Sequence, residues 1–460
     1  MAPATSAARA PEPGPGFDWA PVQAEALALF QTLLRIDTTN PPGNERAAAH
    51  CVADALRADG YDPAVLESLT ERANVVARYK GDGSKPPLLL DAHLDVVEAD
   101  PKTWQHPPFG GEIHDGYVWG RGAVDMKNMV AMSTWVMKLL ARTRPKLKRD
   151  VIFAATADEE AGSKYGAEYL VAEHRKLVEC EYVLGEIGGF SLNFNGVAYY
   201  PIQIAQKGIL WGRLRVEGPP GHGSMPRPDS AVVRLAEIVA RIGRTRLPQH
   251  TSAPVRDMFE ALAREQKFPV SMILRGLLNP ALSGMLLKLI PNPGVARAFS
   301  AVLSNTVSPT VLRAGNKVNV IPGQATVEFD GRVVPEKTPD DLIAELKALV
   351  GSDVQIEEVD RAPPQVTPQD TDLYAALSAA LKRGDPAAIP VPYVIPGFTD
   401  ARAYVKLGAK YYGFAPLRFD PTHKVSFPEM YHGNDERAPV DGFFWGLRTL
   451  YDAVTTFCAQ

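Results

Sequence analysis

The chain has 460 residues, 45% of them hydrophobic and 22% charged, with a formal net charge of -4. That apolar content is enough to fill two cores and excludes a disordered chain, and the slightly acidic balance without a long basic run excludes a nucleic-acid-binding protein. Cys51, Cys180 and Cys458 are odd in number, widely separated and without a CxxC pair, which excludes a disulfide framework and a thiolate metal site.

Residues 1–16, MAPATSAARAPEPGPG, lack the apolar core of a secretory signal and read as a flexible tail. From 17 to 205, short apolar runs alternate with helical patterns: Leu88–Leu90, Met129–Leu140, Val151–Ala155 and Tyr182–Leu184. This alternation predicts an α/β domain with a mainly parallel sheet. Over 206–359 the texture changes to alternating strands, Leu210–Val216 and Ala325–Val333, with helices at Ala231–Arg244 and Asp340–Val350. A smaller α+β domain inserted into the first is expected there. Over 360–460 the first pattern resumes and ends on an amphipathic helix at Phe443–Val454, so the first domain is discontinuous. The apolar stretch Met258–Leu303 reads as core or interface helices of the insertion; the alternatives are a wall for an apolar substrate or a patch that meets a partner subunit. Its most apolar part, Val270–Ile290, is interrupted by Arg275, Pro280 and Lys288, so no membrane span is expected; a cytoplasmic protein is the expectation, with an export route left open.

Five short constellations carry chemistry. In LLLDAHLDVV, His93 and Asp95 follow an apolar strand and project from one face, which suits a metal-binding histidine and its supporting carboxylate, or an ordinary strand-end histidine. In YVWGRGAVDMKNMVA, Asp125 ends a Gly-rich turn before a helical run; its oxygens could cap that helix or bridge two cations. The strand Val151–Ala155 runs into TADEEAG, which places Glu159 and Glu160 at a sheet end, where sites are commonly built. One of the pair can then hold a metal while the other serves as general base. Glu186 in VLGEIGG follows another short strand, and His432 lies in the polar loop FPEMYHGNDERAPVD. Together these histidines and carboxylates fit two borderline divalent ions, with Zn favoured over Co or Mn.

The blocks DAHLDVV, GRGAVDMK, TADEEAG, GPPGHGSMP, NVIPGQATVEFDGRV, PGFTDARAY and YHGNDERAPVD occur in that order along nearly the whole chain. In this the sequence resembles the dinuclear zinc metallopeptidases that include aminoacylase, carboxypeptidase G, succinyl-diaminopimelate desuccinylase and Gly-X carboxypeptidase, a family named M20. The resemblance implies a zinc-peptidase catalytic domain with an inserted lid and dimerisation domain. It implies one metal on His93, Asp125 and Glu186 and a second on Asp125, Glu160 and His432. Glu159 would be the general base and acid, and Asp95 would orient its neighbour. In the inserted domain, His222 in GPPGHGSMP would stabilise the oxyanion, in related dimers from the partner subunit. Arg332, or alternatively Arg402, would bind the substrate carboxylate, with Gly397 and Thr399 lining the same pocket. His106, His114, His174 and His423 match no ligand position and are expected to be structural.

The expected activity is therefore metal-dependent cleavage of an amide or peptide bond beside a free carboxylate, in a small N-acyl amino acid or short peptide. The competing expectations are net synthesis of N-acyl amino acids by reversal, and a non-catalytic homologue that binds an amino-acid derivative. A homodimer through the inserted domain is a further expectation, which the lengthened segment Met258–Leu303 puts in doubt.

Overall fold

The computed structural model describes residues 17–422, 425 and 427–460; the expected tail at 1–16, and His423, lie outside the described residues. Two compact units are present, the first Met1–Ile204, Thr367–Val391 and Thr399–Gln460, the second Ala205–Val366 and Pro392–Phe398.

In the first unit the sheet runs in the order Ala64–Leu69, Arg72–Tyr79, Arg149–Thr156, Lys85–His93, Tyr182–Gly185, Lys410–Gly413 and Val197–Gln206. Its four central strands are parallel, and the strands on either side pair antiparallel. The central strands are continuous apolar runs because both of their faces are covered. One face meets the helices Lys127–Thr143 and Val440–Ala459, with Trp19–Arg35 packed beside them and Phe30 stacked on Phe443 at 4.8 Å. On the other lie Leu170, Val178, Ala403 and Tyr404, packed against Leu89, Ile152 and Val183. The result is the three-layer α/β arrangement expected from the alternating pattern. Asp18 starts the first helix by accepting from the Ala20 N–H at 3.0 Å.

The second unit is α+β. Its antiparallel sheet has the order Thr306–Ala314, Gln324–Val333, Gly208–Glu217 and Gln355–Ala362. The alternation Ala325, Val327, Phe329 turns one face inward, onto Leu235 and Ile238 of the helix Ala231–Arg244 and Leu342 and Leu346 of the helix Pro339–Val350. A capping box between Thr338 and Asp341 fixes the start of the latter. Four further helices, Ala253–Arg264, Val270–Gly276, Pro280–Leu287 and Pro293–Leu303, follow the first helix of this unit. None of the described helices is long and apolar enough to cross a membrane.

Candidate metal centre

Three of the predicted residues stand at the carboxyl ends of neighbouring parallel strands, where open α/β sheets place their ligands. His93 is the last residue of its strand and pairs in register with Thr156; Glu159 follows the strand Arg149–Thr156, and Glu186 follows Tyr182–Gly185. Asp125 comes instead from the turn just before the helix Lys127–Thr143. That helix has Met126 at its N-cap and no side-chain cap hydrogen bond, so Asp125 is not spent on capping.

These positions form two donor sets that share Asp125: His93, Asp125 and Glu186, all buried, and Asp125, Glu160 and His432, the last partly open. The donor atoms of each set lie within 4.8 Å of one another. His93 Nδ1 lies 3.0 Å from the carbonyl of Asp95, which can only accept, so Nδ1 carries the proton. That leaves the lone pair of Nε2 facing Asp125 Oδ1 at 3.1 Å and Glu186 Oε2 at 3.7 Å. His432 Nε2 approaches Asp125 Oδ2 at 3.1 Å and Glu160 Oε2 at 3.2 Å. Asp125 Oδ2, Glu160 Oε1 and both oxygens of Glu186 are buried without a well-formed hydrogen bond. Buried carboxylate oxygens are normally paired or coordinate metals. Imidazole nitrogens and bare carboxylates converging without donors between them fit two divalent cations.

The electrostatics agree. Burial, reinforced by the Glu186 carboxylate, pushes Glu159 well above the usual carboxylate range. Burial beside Asp125 raises Glu160 to about 7. Without a cation, burial pushes Asp125 up, but a second proton taken up by His93 and His432 on the nitrogens that face it outweighs this and holds the carboxylate low. The carboxylates around His432 raise it to about 10 against the opposing effect of burial. A cation would replace these protons as the neutralising charge.

Asp95 is fully buried and its carboxylate is 3.6 Å from His93 Nδ1, so the imidazole is oriented chiefly by the Asp95 backbone carbonyl. The carboxylate instead accepts from the N–H groups of Glu159 at 3.1 Å and Glu160 at 3.2 Å, and from Asn40 Nδ2 at 2.8 Å. It therefore fixes the turn that carries both glutamates. Asn40 also reaches Asp158, which Arg72 holds together with Glu45.

The motif reading missed Glu436, four residues after His432 in the same loop. Fully buried, it accepts from Arg121 Nη1 at 2.7 Å and from the N–H groups of Gly122 at 2.9 Å, Val124 at 2.7 Å and Asp125 at 3.1 Å. The turn presenting Asp125 is thus clamped to the loop presenting His432. Lys127, also missed, is fully buried and donates to the carbonyls of Leu33 and Ile36; burial lowers it to about 8. A charged residue at the start of an otherwise apolar helix was the available signal for Lys127, whereas Glu436, in a polar loop, offered none.

The remaining candidates are not members of either donor set. His222 lies in the second unit and is exposed; its Nδ1 accepts from the Ser224 N–H at 3.2 Å, so the proton sits on Nε2. Arg332, in the same unit, forms a fork with Asp330 at 2.5 and 2.8 Å and lies 5.1 Å over the Phe398 ring; its Nη1 is buried without a partner. A side chain added at Gly397 would meet open space. Arg402 lies in the first unit, 3.6 Å from Glu168. Thr399 is fully buried, and its hydroxyl accepts from the Ala401 N–H at 3.2 Å. His106 and His114 stack at 3.7 Å and, with Glu112, form a third grouping of donor atoms. Their rings are within 7° of parallel, so no single ion lies in the plane of both, and the Glu112–His114 contact at 2.8 Å accounts for the cluster. His174 meets the Tyr169 hydroxyl at 2.9 Å.

Residues 89–456 match the sequence profile of Peptidase family M20/M25/M40. The chain belongs to that family. It is accordingly a metallohydrolase acting on amide bonds. The mouse N-fatty-acyl-amino acid synthase/hydrolase PM20D1 is 30% identical over 85% of this chain and 80% of its own length. Succinyl-diaminopimelate desuccinylase of Hydrogenovibrio crunogenus is 29% identical over 87% of this chain and 93% of its own. Among solved structures, the M20 family metallo-carboxypeptidase Sso-CP2 of Sulfolobus solfataricus superposes with a TM-score of 0.71 at 18% identity, over 95% of this chain and all of that one. The fold is therefore the family's.

Proposed function

We propose that this M20 family member hydrolyses the amide bond of N-acyl amino acids, with Asp125 as the shared ligand of two divalent cations. The observation that carries this reading is the pair of donor sets meeting at Asp125, with the buried carboxylate of Glu159 beside Glu186. Zinc fits the mixed nitrogen and oxygen donors, and cobalt or manganese are workable replacements. When bound, two such ions lower the pKa of water and polarise a carbonyl oxygen.

The chain's own residues supply the rest. Glu159, kept basic by its buried and acidic surroundings, takes a proton from the attacking water and delivers it to the departing amine. Asp95, by holding the Glu159 and Glu160 N–H groups, keeps the base and its ligand neighbour at fixed offset. His222 offers an Nε2–H donor, the form that stabilises an oxyanion. Arg332 is held flat by Asp330 with Nη1 unspent, the geometry suited to a substrate carboxylate; Arg402, beside Glu168, is the second candidate.

The substrate class rests on the relatives, several of which are N-fatty-acyl-amino acid synthase/hydrolases. A carboxypeptidase reading also has support, since a probable carboxypeptidase S-like protein of Dictyostelium discoideum is 28% identical. Homodimerisation fits the outer strand Thr306–Ala314, on which Val311 and Leu312 are exposed. The three free thiols suit a reducing cytoplasm.

The test is kcat/KM for acetyl, octanoyl and longer N-acyl derivatives of one amino acid alongside C-terminal dipeptides, using zinc-loaded protein. Higher values for long acyl chains support the reading, and a preference for dipeptides replaces it with carboxypeptidase activity. Glu159→Gln should keep both metals and lose turnover by about 10²–10⁴-fold. Retained turnover would show that another group moves the proton.

A further inference from the structure

We infer that the helical layer Ala253–Leu303 docks on anionic lipid surfaces through its outward face. No residue of this layer belongs to the core of the second unit's sheet and its two covering helices. It has a small interior of its own, including Val255, Met258 and Phe259, with Phe259 against Phe299 at 5.0 Å. Inward sides of the next two helices bury Leu274, Leu277 and Leu286, and Leu286 lies against Gly276.

The opposite sides are apolar as well. Phe268 is 78% exposed, Met272 56%, Met285 58% and Leu289 58%, with Leu282 exposed between them. Phe268 lies in the turn just before the helix Val270–Gly276 that carries Met272; Leu282 and Met285 share a face of the helix Pro280–Leu287, and Leu289 lies in the turn that follows it. Single exposed hydrophobics are ordinary, but five large ones exposed between positions 268 and 289 mark a contact surface.

Charge identifies the occupant. The first helix of the layer and the residue after it carry both signs, with Arg256, Asp257, Glu260, Arg264 and Glu265, but from Gln266 to Leu303, where the exposed apolar residues lie, there is no Asp or Glu, whereas Lys267, Arg275, Lys288 and Arg297 are all exposed, in a chain whose net charge is -4. Arg275 is paired with Glu260 at 3.0 Å. A second copy of this face would set cations against cations. A bilayer rich in anionic headgroups accepts both components, taking the apolar side chains between acyl chains and the lysines at phosphate level. None of the described helices is long and apolar enough to cross, and the contact inferred is a peripheral one. The inference does not depend on which amide is cleaved.

Flotation of the full-length, metal-loaded protein with phosphatidylcholine vesicles, with and without phosphatidylglycerol, tests it. Binding is expected only with phosphatidylglycerol and should weaken as salt is raised. Phe268→Ser combined with Leu289→Ser should lower partitioning by about tenfold for each side chain. Lys267→Glu combined with Lys288→Glu should lower it by at least about fivefold for each charge removed. Thermal unfolding establishes that the variants fold; should the apolar pair fail to, the charge pair alone decides. Three results would overturn the inference: no flotation with phosphatidylglycerol, equal flotation with neutral vesicles, or folded variants that float like the parent. A change of oligomeric size in the apolar variant without loss of flotation would assign the face to a second copy instead.

Discussion

Glu436→Gln is the sharpest probe of how the two donor sets are held. One carboxylate oxygen of Glu436 serves Arg121 and Gly122, and the other serves Val124 and Asp125. An amide can replace one oxygen only; its NH2 then faces two N–H donors that have no other acceptor. Each buried donor left unsatisfied costs about 1–3 kcal/mol, so the pair costs about 2–6 kcal/mol. Buried Arg121 also loses its counter-charge, a change worth about 3–5 kcal/mol when a buried pair is broken. These effects overlap, and a net loss of about 3–5 kcal/mol is expected. The turn carrying Asp125 should loosen as well, lowering metal affinity by about 10–100-fold, the usual effect of losing a ligand's support. Urea unfolding of the metal-saturated protein reads the first number and chelator competition reads the second. A variant within about 1 kcal/mol of the parent, with metal affinity changed less than about threefold, would refute the clamp.

Asp125→Ala should remove both cations together, since each set loses a donor; metal analysis showing one ion retained would mean that Asp125 is not shared. Mixing His222→Ala with Glu159→Gln subunits should restore partial activity if His222 acts from a partner, whereas demonstrably mixed dimers without recovery would place its action within one chain. Lys207 donates to the carbonyls of Ala301 and Ser304 and to Thr306 Oγ1, and burial lowers it to about 7. Its folded pKa lies below the unfolded value, so the unfolded chain binds more protons between about pH 7 and 10.5 and stability rises with pH across that window. The slope from this group is at most about 1.4 kcal/mol per pH unit. Lys207→Met should flatten it relative to the parent, and identical slopes in urea unfolding at pH 7, 8 and 9 would show that Lys207 does not titrate there.

The mainly parallel α/β sheet and a metallohydrolase acting on amide bonds were legible in the amino-acid sequence. Apolar strand runs ending in His93, Glu159 and Glu186 announce a sheet whose carboxyl edge carries charge, because a parallel strand buried on both faces must be apolar until it ends. Asp125 before a helix and His432 in a loop were legible as ligand types, though only in the company of the others. Tertiary structure decided what each carboxylate does. That Asp95 holds the glutamate turn, and that Glu436 holds the Asp125 turn, depends on N–H groups 64 and 312 residues away in the chain. Nothing in local periodicity encodes such partners, since a glutamate in a polar loop reads the same whether solvated or fully buried. The segment Met258–Leu303 shows the converse limit. Its composition predicted burial or contact, but hydrophobic runs carry no statement of which face turns outward. Only the packing of Leu274, Leu277 and Leu286 inward leaves Phe268, Met285 and Leu289 in solvent.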